Sequence, residues 1–289
     1  MIMTSSASTG QLLDGRVLAE QIKARLRQER AVLSGTPHLR VLYFKTDPSR
    51  VYWAAQNRVA ADLQIATDGS ACADWDITPE RLEEIIEAWN RDPAVHGIFV
   101  HQPMPPQIDP LRVSALLTPH KDVEGIHPQN SARRFFGRAR IGSCTALAVM
   151  ELIESTGINL TGKEAVVVGH SEIVGRPVSM LLLDKLATTT ICHAGTDKAG
   201  RLEDHVRRAE VLVVAVGRPK FIKGAWIKPG SIVIDVGINV VDGHVVGDVE
   251  FDIAKTKAAF ISPVPGGVGP VTVMMVMKNT LEAFRLQQR

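Results

Sequence analysis

The sequence predicts an α/β fold of two domains: an N-terminal α/β catalytic domain and a Rossmann-type, doubly wound parallel sheet. Three observations lead there. Short strands such as LRVLYF (39–44) and VLVVAVG (211–217) are almost wholly apolar, so they have no wet face and belong in a parallel sheet covered on both sides. They alternate with helix-period stretches in two separate series. The second series carries a strand that ends in a glycine-containing turn, GHSEIVGRP (169–177), as dinucleotide-binding sheets do.

The elements follow in order. Residues 14–33 read as a helix, with Asp14 as its cap and Val17, Ile22 and Leu26 as its apolar stripe. LRVLYF is a buried strand and TDPS (46–49) a turn. The stretch from about 50 to 64 is a helix with Val51, Ala55, Val59 and Leu63 available to the core. TPERLEEIIEAWNRD (78–92) is a helix with an acidic first turn. VHGIFV (95–100) is a strand that runs into the proline-rich loop HQPMPPQID. After the long apolar helix CTALAVMELIESTG (144–157) come strand KEAVVVG (163–169), helix RPVSMLLLDK (176–185), strand TTTICH (188–193), helix EDHVRRAE (203–210), and strands VLVVAVG and SIVIDVG (231–237). A last helix, roughly 271–286, follows the loop PVPGGVGP (263–270).

Bulk properties narrow the function. The chain has 289 residues, 45% of them apolar, which is enough for real cores. The formal net charge of +2 and the mixed charges give no basic stripe for nucleic acid. Three scattered cysteines, Cys72, Cys144 and Cys192, fit neither a disulfide framework nor a zinc site, so a reducing, cytoplasmic compartment is expected. The apolar runs are too short to cross a bilayer. MIMTSSASTG lacks a basic region before an apolar core and reads as a loose tail, not a signal peptide.

Four stretches carry candidate chemistry. In GHSEIVGRP, Gly169 closes a strand, Ser171 offers a hydroxyl, and Gly175 permits tight packing where a helix begins; a phosphate can sit on such a helix start. Gly217 and Gly237, at later strand ends, would let a flat cofactor approach the backbone. PVPGGVGP is either a structural crossover or the wall of a flat ligand site, and composition does not decide between them. His101 ends a predicted strand, where α/β sites form. His96, His127 and His193 have no special spacing. HKDVEGIHPQN (120–130), with Asp122 and Glu124, taken by itself reads as a solvated acidic loop. A further pair sits in SRVYWAAQNR (49–58), where Tyr52 and Gln56 are four apart and share a helix face.

Together these stretches resemble the methylenetetrahydrofolate dehydrogenase/methenyltetrahydrofolate cyclohydrolase family. The resemblance rests on S-x-x-Y at 49–52, V-H-G-I-F-V-x-x-P at 95–103, K-D-V-E-G at 121–125, C-T at 144–145, G-H-S-x-I-V-G-R-P at 169–177, V-G-D-V at 246–249 and P-V-P-G-G-V-G-P at 263–270. It implies a folate-binding catalytic domain of residues 1–147 plus 271–289, a dinucleotide domain of 148–270, and a folate cleft between them. It implies a reduced folate as substrate, NADP as cofactor with NAD as the alternative, and a homodimer, with no nucleic acid, membrane or metal.

Residue roles follow from the same resemblance. Tyr52, Gln56, His101 and Glu124 fall on the catalytic positions. Ser49, Val100, Gln102, Pro263, Pro265, Gly266, Gly267 and Gly269 join them around the folate. Thr145, Gly169, His170, Ser171, Val174, Gly175 and Arg176 fall on the dinucleotide site. So do Ala194, Val216, Gly217, Gly237, Ile238 and Thr272. The basic residue expected for a 2′-phosphate is replaced by His170 and by Ala194–Gly195, with Lys198 and Arg201 within possible reach.

Three departures fall on the folate site. Gln56 stands where the family has lysine, His101 where it has glutamine, and Glu124 where it has aspartate. Dehydrogenation needs positioning and no proton acceptor, whereas hydrolysis of the methenyl bridge needs general acid–base work, which a carboxamide cannot do. The expectation is therefore a dehydrogenase with lost or weak cyclohydrolase activity. Alternatives are a full bifunctional enzyme using His101 as acid/base, a non-catalytic folate binder, and an enzyme with an altered pterin substrate.

Overall fold

The computed structural model describes residues 10–288, so most of the expected N-terminal tail lies outside the described residues. The chain order is β1 (Gln11–Leu12), α1 (Gly15–Ala31), β2 (Leu39–Phe44), α2 (Asp47–Asp62), β3 (Ala71–Ala73), α3 (Pro79–Arg91), β4 (Gly97–Val100), α4 (Pro110–Leu116) and α5 (Pro128–Phe135). There follow α6 (Cys144–Glu154), β5 (Glu164–Val168), α7 (Gly175–Asp184), β6 (Thr188–Cys192), α8 (Ala194–Lys198), α9 (Leu202–Arg208), β7 (Val211–Val214) and β8 (Ile232–Asp235). The hairpin β9 (Asn239–Val241) and β10 (His244–Val246), then α10 (Phe251–Lys255), β11 (Phe260–Ile261) and α11 (Val268–Gln287), complete the chain. Among the described residues no helix is long and apolar enough to cross a membrane.

The described residues divide into two compact units, one of residues 10–19 and 145–271, the other of 20–144 and 272–288. The first holds a six-stranded sheet in the order β1-β11-β8-β7-β5-β6, with every pair parallel. β5 pairs with both β6 and β7, so the strand order reverses there, which makes a topological switch point at the carboxyl ends. β7 and β8 are buried along their whole length, β7 wholly apolar and β8 apolar up to its final Asp235. Val166, Val168, Leu212, Val214, Val233 and Ile261 form the core on one sheet face with Val206 and Ala254 from the covering helices.

The second unit holds a three-stranded parallel sheet in the order β3-β2-β4. Its core joins Leu42, Phe44, Ile98 and Val100 to Leu82 and Ile86, two residues one helical turn apart on α3. α3 starts where its sequence says it should: the Thr78 hydroxyl accepts from the Arg81 N–H, and Pro79 occupies the first turn, where its missing N–H costs nothing.

The structure corrects several sequence expectations. TDPS is not a separate turn, because α2 already begins at Asp47 with Pro48 in its first turn. The final helix begins at Val268, inside the glycine-rich stretch, so Gly269 and Pro270 are helical. HKDVEG is not a solvated loop, since Lys121, Asp122 and Val123 are buried. β1 joins the six-stranded sheet through β11, a pairing that no local signal announces.

Candidate active site

A buried polar line crosses the second unit from backbone to side chain. α2 places Ser49 and Gln56 two helical turns apart on its inner face, and His101 follows the end of β4. The backbone N–H of Phe44 donates to Ser49 Oγ at 3.0 Å. Ser49 Oγ lies 2.8 Å from His101 Nδ1. His101 Nε2 lies 2.8 Å from Gln56 Oε1. Gln56 is 0% and His101 1% exposed. Gln56 Nε2 is shut off from solvent and lacks a hydrogen-bond partner.

Aromatic rings box in the histidine. Tyr52 stands 5.1 Å from its ring at 51°, Phe99 5.7 Å away and edge-on, and Tyr43 6.0 Å away. Desolvation lowers the His101 pKa to about 4, so the imidazole is neutral at physiological pH. Burial raises the Tyr52 phenol above its ordinary range, and the neighbouring Gln56 amide opposes that rise without reaching hydrogen-bond geometry.

The K-D-V-E-G stretch has two structural duties. The Lys121 ammonium donates to the carbonyls of Trp89, Asn90 and Asp92 at 2.7–3.1 Å, which caps the C-terminal end of α3. Asp122 is 0% exposed and accepts from the N–H groups of Gly125 and His127 and from Asn130 Nδ2, which shapes the turn. Gly125 has φ +74°, and a Cβ there would lie 2.3 Å from the Gly142 backbone. Glu124 is half-buried, and its Oε2 is shut off from solvent with no partner. Burial first, then the charge of Asp122, raises its pKa to about 8, so it is mostly a neutral acid at pH 7.

The first unit gathers most of the predicted dinucleotide residues near the carboxyl ends of its strands. Gly169 has φ +121° and packs so closely on Ala215 that a Cβ would lie 2.2 Å from its carbonyl oxygen. A Cβ on Gly175 would lie 2.1 Å from the Gly169 carbonyl oxygen. The Ser171 hydroxyl accepts from the N–H groups of Val174 and Gly175, so it organises the turn at the start of α7. His170 and His193 meet edge to face at 5.4 Å, with His193 capping α8 through the Gly195 N–H. Arg176 pairs with Glu172, and Ile238 and Ala194 are exposed.

Gly237 packs against a second aspartate-centred turn. A Cβ there would lie 2.2 Å from the Asp248 carboxylate, so a buried side chain already requires the glycine. Asp248 accepts from the N–H groups of Val216, Gly217 and Arg218 and from Asn239 Nδ2. Asp235 in turn accepts from the N–H groups of Gly237, Asp248 and Val249. The aspartate of V-G-D-V thus fixes the loop after β7, a role that sequence reasoning missed although the motif was in view.

PVPGGVGP is braced from below. The Gly15 N–H donates to the Gly266 carbonyl at 2.8 Å, and a Cβ on Gly15 would lie 1.7 Å from the Gly267 oxygen. Pro265 follows Val264 through a cis bond, with Pro263 just before it, and Gln102, which is exposed, makes a second cis bond to Pro103. Thr145 belongs to the first unit, near the start of α6, and Thr272 to the second, in the first turns of α11.

The geometry fits a bound dinucleotide. At Gly217 (φ +63°), just beyond β7, no atom stands within 4 Å of where a Cβ would be, which leaves open space beside that strand end. The fold and site therefore define a two-domain α/β protein with a dinucleotide-type sheet and a separate, deeply buried polar centre.

Comparison with known proteins makes this specific. Residues 13–124 match the tetrahydrofolate dehydrogenase/cyclohydrolase catalytic domain, and residues 143–288 match its NAD(P)-binding domain. A protein of Myxococcus xanthus named bifunctional protein FolD 2 is 46% identical over 94% of this chain and 95% of its own. The structure of a Trypanosoma brucei methylenetetrahydrofolate dehydrogenase-cyclohydrolase complexed with NADP and inhibitor superposes with a TM-score of 0.91 at 37% identity, covering 97% of this chain and 99% of the other. That of a Bombyx mori 5,10-methylenetetrahydrofolate dehydrogenase gives 0.90 at 37% identity, over 96% and 99%. The chain belongs to the tetrahydrofolate dehydrogenase/cyclohydrolase family and is an NAD(P)-dependent enzyme of that family.

Proposed function

We propose that the protein oxidises 5,10-methylenetetrahydrofolate with NADP and hydrolyses the methenyl product weakly or not at all. The observation that carries this is the Gln56 carboxamide, wholly buried and held on its oxygen by His101 at 2.8 Å. A nicotinamide dinucleotide, when bound, accepts the hydride. The chain's task in that step is positioning. Tyr52 would pack against the folate, Glu124 would anchor the pterin, and Gly169, Ser171, Gly175, Val216, Gly217 and Ile238 would line the dinucleotide. The folate's own nitrogen lone pairs drive the hydride out, so no side chain must take a proton.

Hydrolysis is different. A water must lose a proton and a folate nitrogen must gain one. Gln56 stands where the family's amine would be, and an amide does neither. His101 is a poor substitute, because its pKa of about 4 leaves it neutral and a weak base. The second reading, a full bifunctional enzyme, is favoured by relatives named as bifunctional, such as the Myxococcus protein. Purified protein given methenyltetrahydrofolate separates the two. Hydrolysis near the uncatalysed rate is expected, and turnover comparable with the oxidation rate would overturn the reading. NADP is expected to give the higher kcat/KM in a side-by-side comparison with NAD. The homodimer and the cytoplasmic setting belong to the same proposal, and sedimentation of the purified protein tests the former.

A further inference from the structure

Ser49 has two polar neighbours, the Phe44 N–H and the His101 ring. Its oxygen accepts from the Phe44 N–H, and His101 Nδ1 lies 2.8 Å from the same hydroxyl, an acceptor to which its O–H can donate. A neutral imidazole that accepts at Nδ1 carries its proton on Nε2. That Nε2–H faces Gln56 at 2.8 Å, so the atom it meets must be the carboxamide oxygen. The amide is thereby turned with its N–H groups away from His101. The unspent donor is Gln56 Nε2, on a residue that is 0% exposed, beside the Tyr52 hydroxyl.

We propose that Ser49 and His101 are positioning residues that lock the Gln56 carboxamide in one orientation, so that the folate site receives a neutral N–H donor there and never an acceptor. The line runs one way: Phe44 N–H, Ser49 O–H, His101 Nε2–H, Gln56 Nε2–H. A neutral donor suits a substrate group that accepts, either directly or through the Tyr52 hydroxyl. It also denies the attacking water of a hydrolysis any acceptor at that position. The low basicity of His101 keeps the line uncharged across the physiological range. This deepens the folate-dehydrogenase reading and rests on it for the identity of the ligand.

The test has a spectroscopic and a kinetic part. In the intact protein labelled with ¹⁵N-histidine, His101 is expected to show the Nε2–H tautomer. Ser49→Ala should erase that preference. Finding Nδ1–H in the parent protein overturns the lock. For kinetics, His101→Phe keeps an aromatic ring but removes both hydrogen bonds, and should raise the folate KM about fivefold, on the order of one lost hydrogen bond, with the NADP KM unchanged. His101→Gln offers one acceptor and one donor and should restore the folate KM to within about twofold. Equal damage by Phe and Gln, in proteins that melt alike, overturns the lock. The tautomer is read without any turnover. An inactive protein with Nε2–H would therefore sink the dehydrogenase reading alone, and an active one with Nδ1–H would sink the lock alone.

Discussion

Glu124 combines half-burial with a carboxyl oxygen that meets neither solvent nor partner. Its pKa rises from 4.5 to about 8, chiefly by desolvation. A carboxyl whose folded pKa exceeds its unfolded value stabilises the fold fully below the unfolded pKa and loses that contribution as pH rises through the folded one. The window is therefore pH 4.5 to about 8. Asp235, raised to about 6, acts in the same direction over a narrower range. Glu124→Gln, which keeps the shape without the charge, should flatten the fall in Tm across this window. Its advantage over the parent should be largest at pH 8.5 and vanish near pH 4.5, by roughly 2–4 °C for each kcal/mol recovered. Parallel Tm curves for the two proteins would show that Glu124 ionises as freely folded as unfolded. At this scale the sequence was a partial guide. Gln56, His101 and Glu124 were visible as candidates, but their contacts were not, since His101 lies 45 positions from Gln56 and 52 from Ser49.

Among the elements, α3 shows how a motif can hide its purpose. Its start is written locally in Thr78 and Pro79, and its buried stripe in Leu82 and Ile86. Its end depends on Lys121, about 30 residues away, whose ammonium gathers three carbonyls at 2.7–3.1 Å. Lys121→Met keeps the apolar stem and leaves those carbonyls without the cation. A loss of about 1–3 kcal/mol is expected, read from the urea midpoint. Because Asp122 is the next residue, the folate KM should rise as well. An unchanged midpoint would mean that water replaces the ammonium at no cost. Sequence patterning found the long periodic helices and the apolar strands. It missed α4 and α5, whose first turns are set by Asp109 and by the His127 ring, because seven or eight residues are too few to show a helical period.

Over the whole molecule, the two sheets were foreseen because apolar strands and helices alternate twice. The membership of the N-terminal residues was not, because β1 is two residues long and both are exposed. That segment is tied down by its pairing with β11 and by the contact of Gly15 with the PGGVGP loop. Gly15→Ala would put a methyl group 1.7 Å from the Gly267 oxygen. The loop or the helix must then shift, at a cost of about 1–3 kcal/mol. A lower Tm is expected together with a weaker folate or dinucleotide affinity, measured by equilibrium titration. A variant that melts like the parent would show that the brace is slack.

The parallel pairing of Gln11–Leu12 with Phe260–Ile261 spans almost the full length of the polypeptide. During synthesis the earliest strand to leave the ribosome must wait for nearly the last before it finds its neighbour. Contacts this distant along the chain slow folding and leave a nascent edge open meanwhile. A chain stalled before residue 260 should therefore keep residues 10–19 open to protease, long after β5 to β8 have closed.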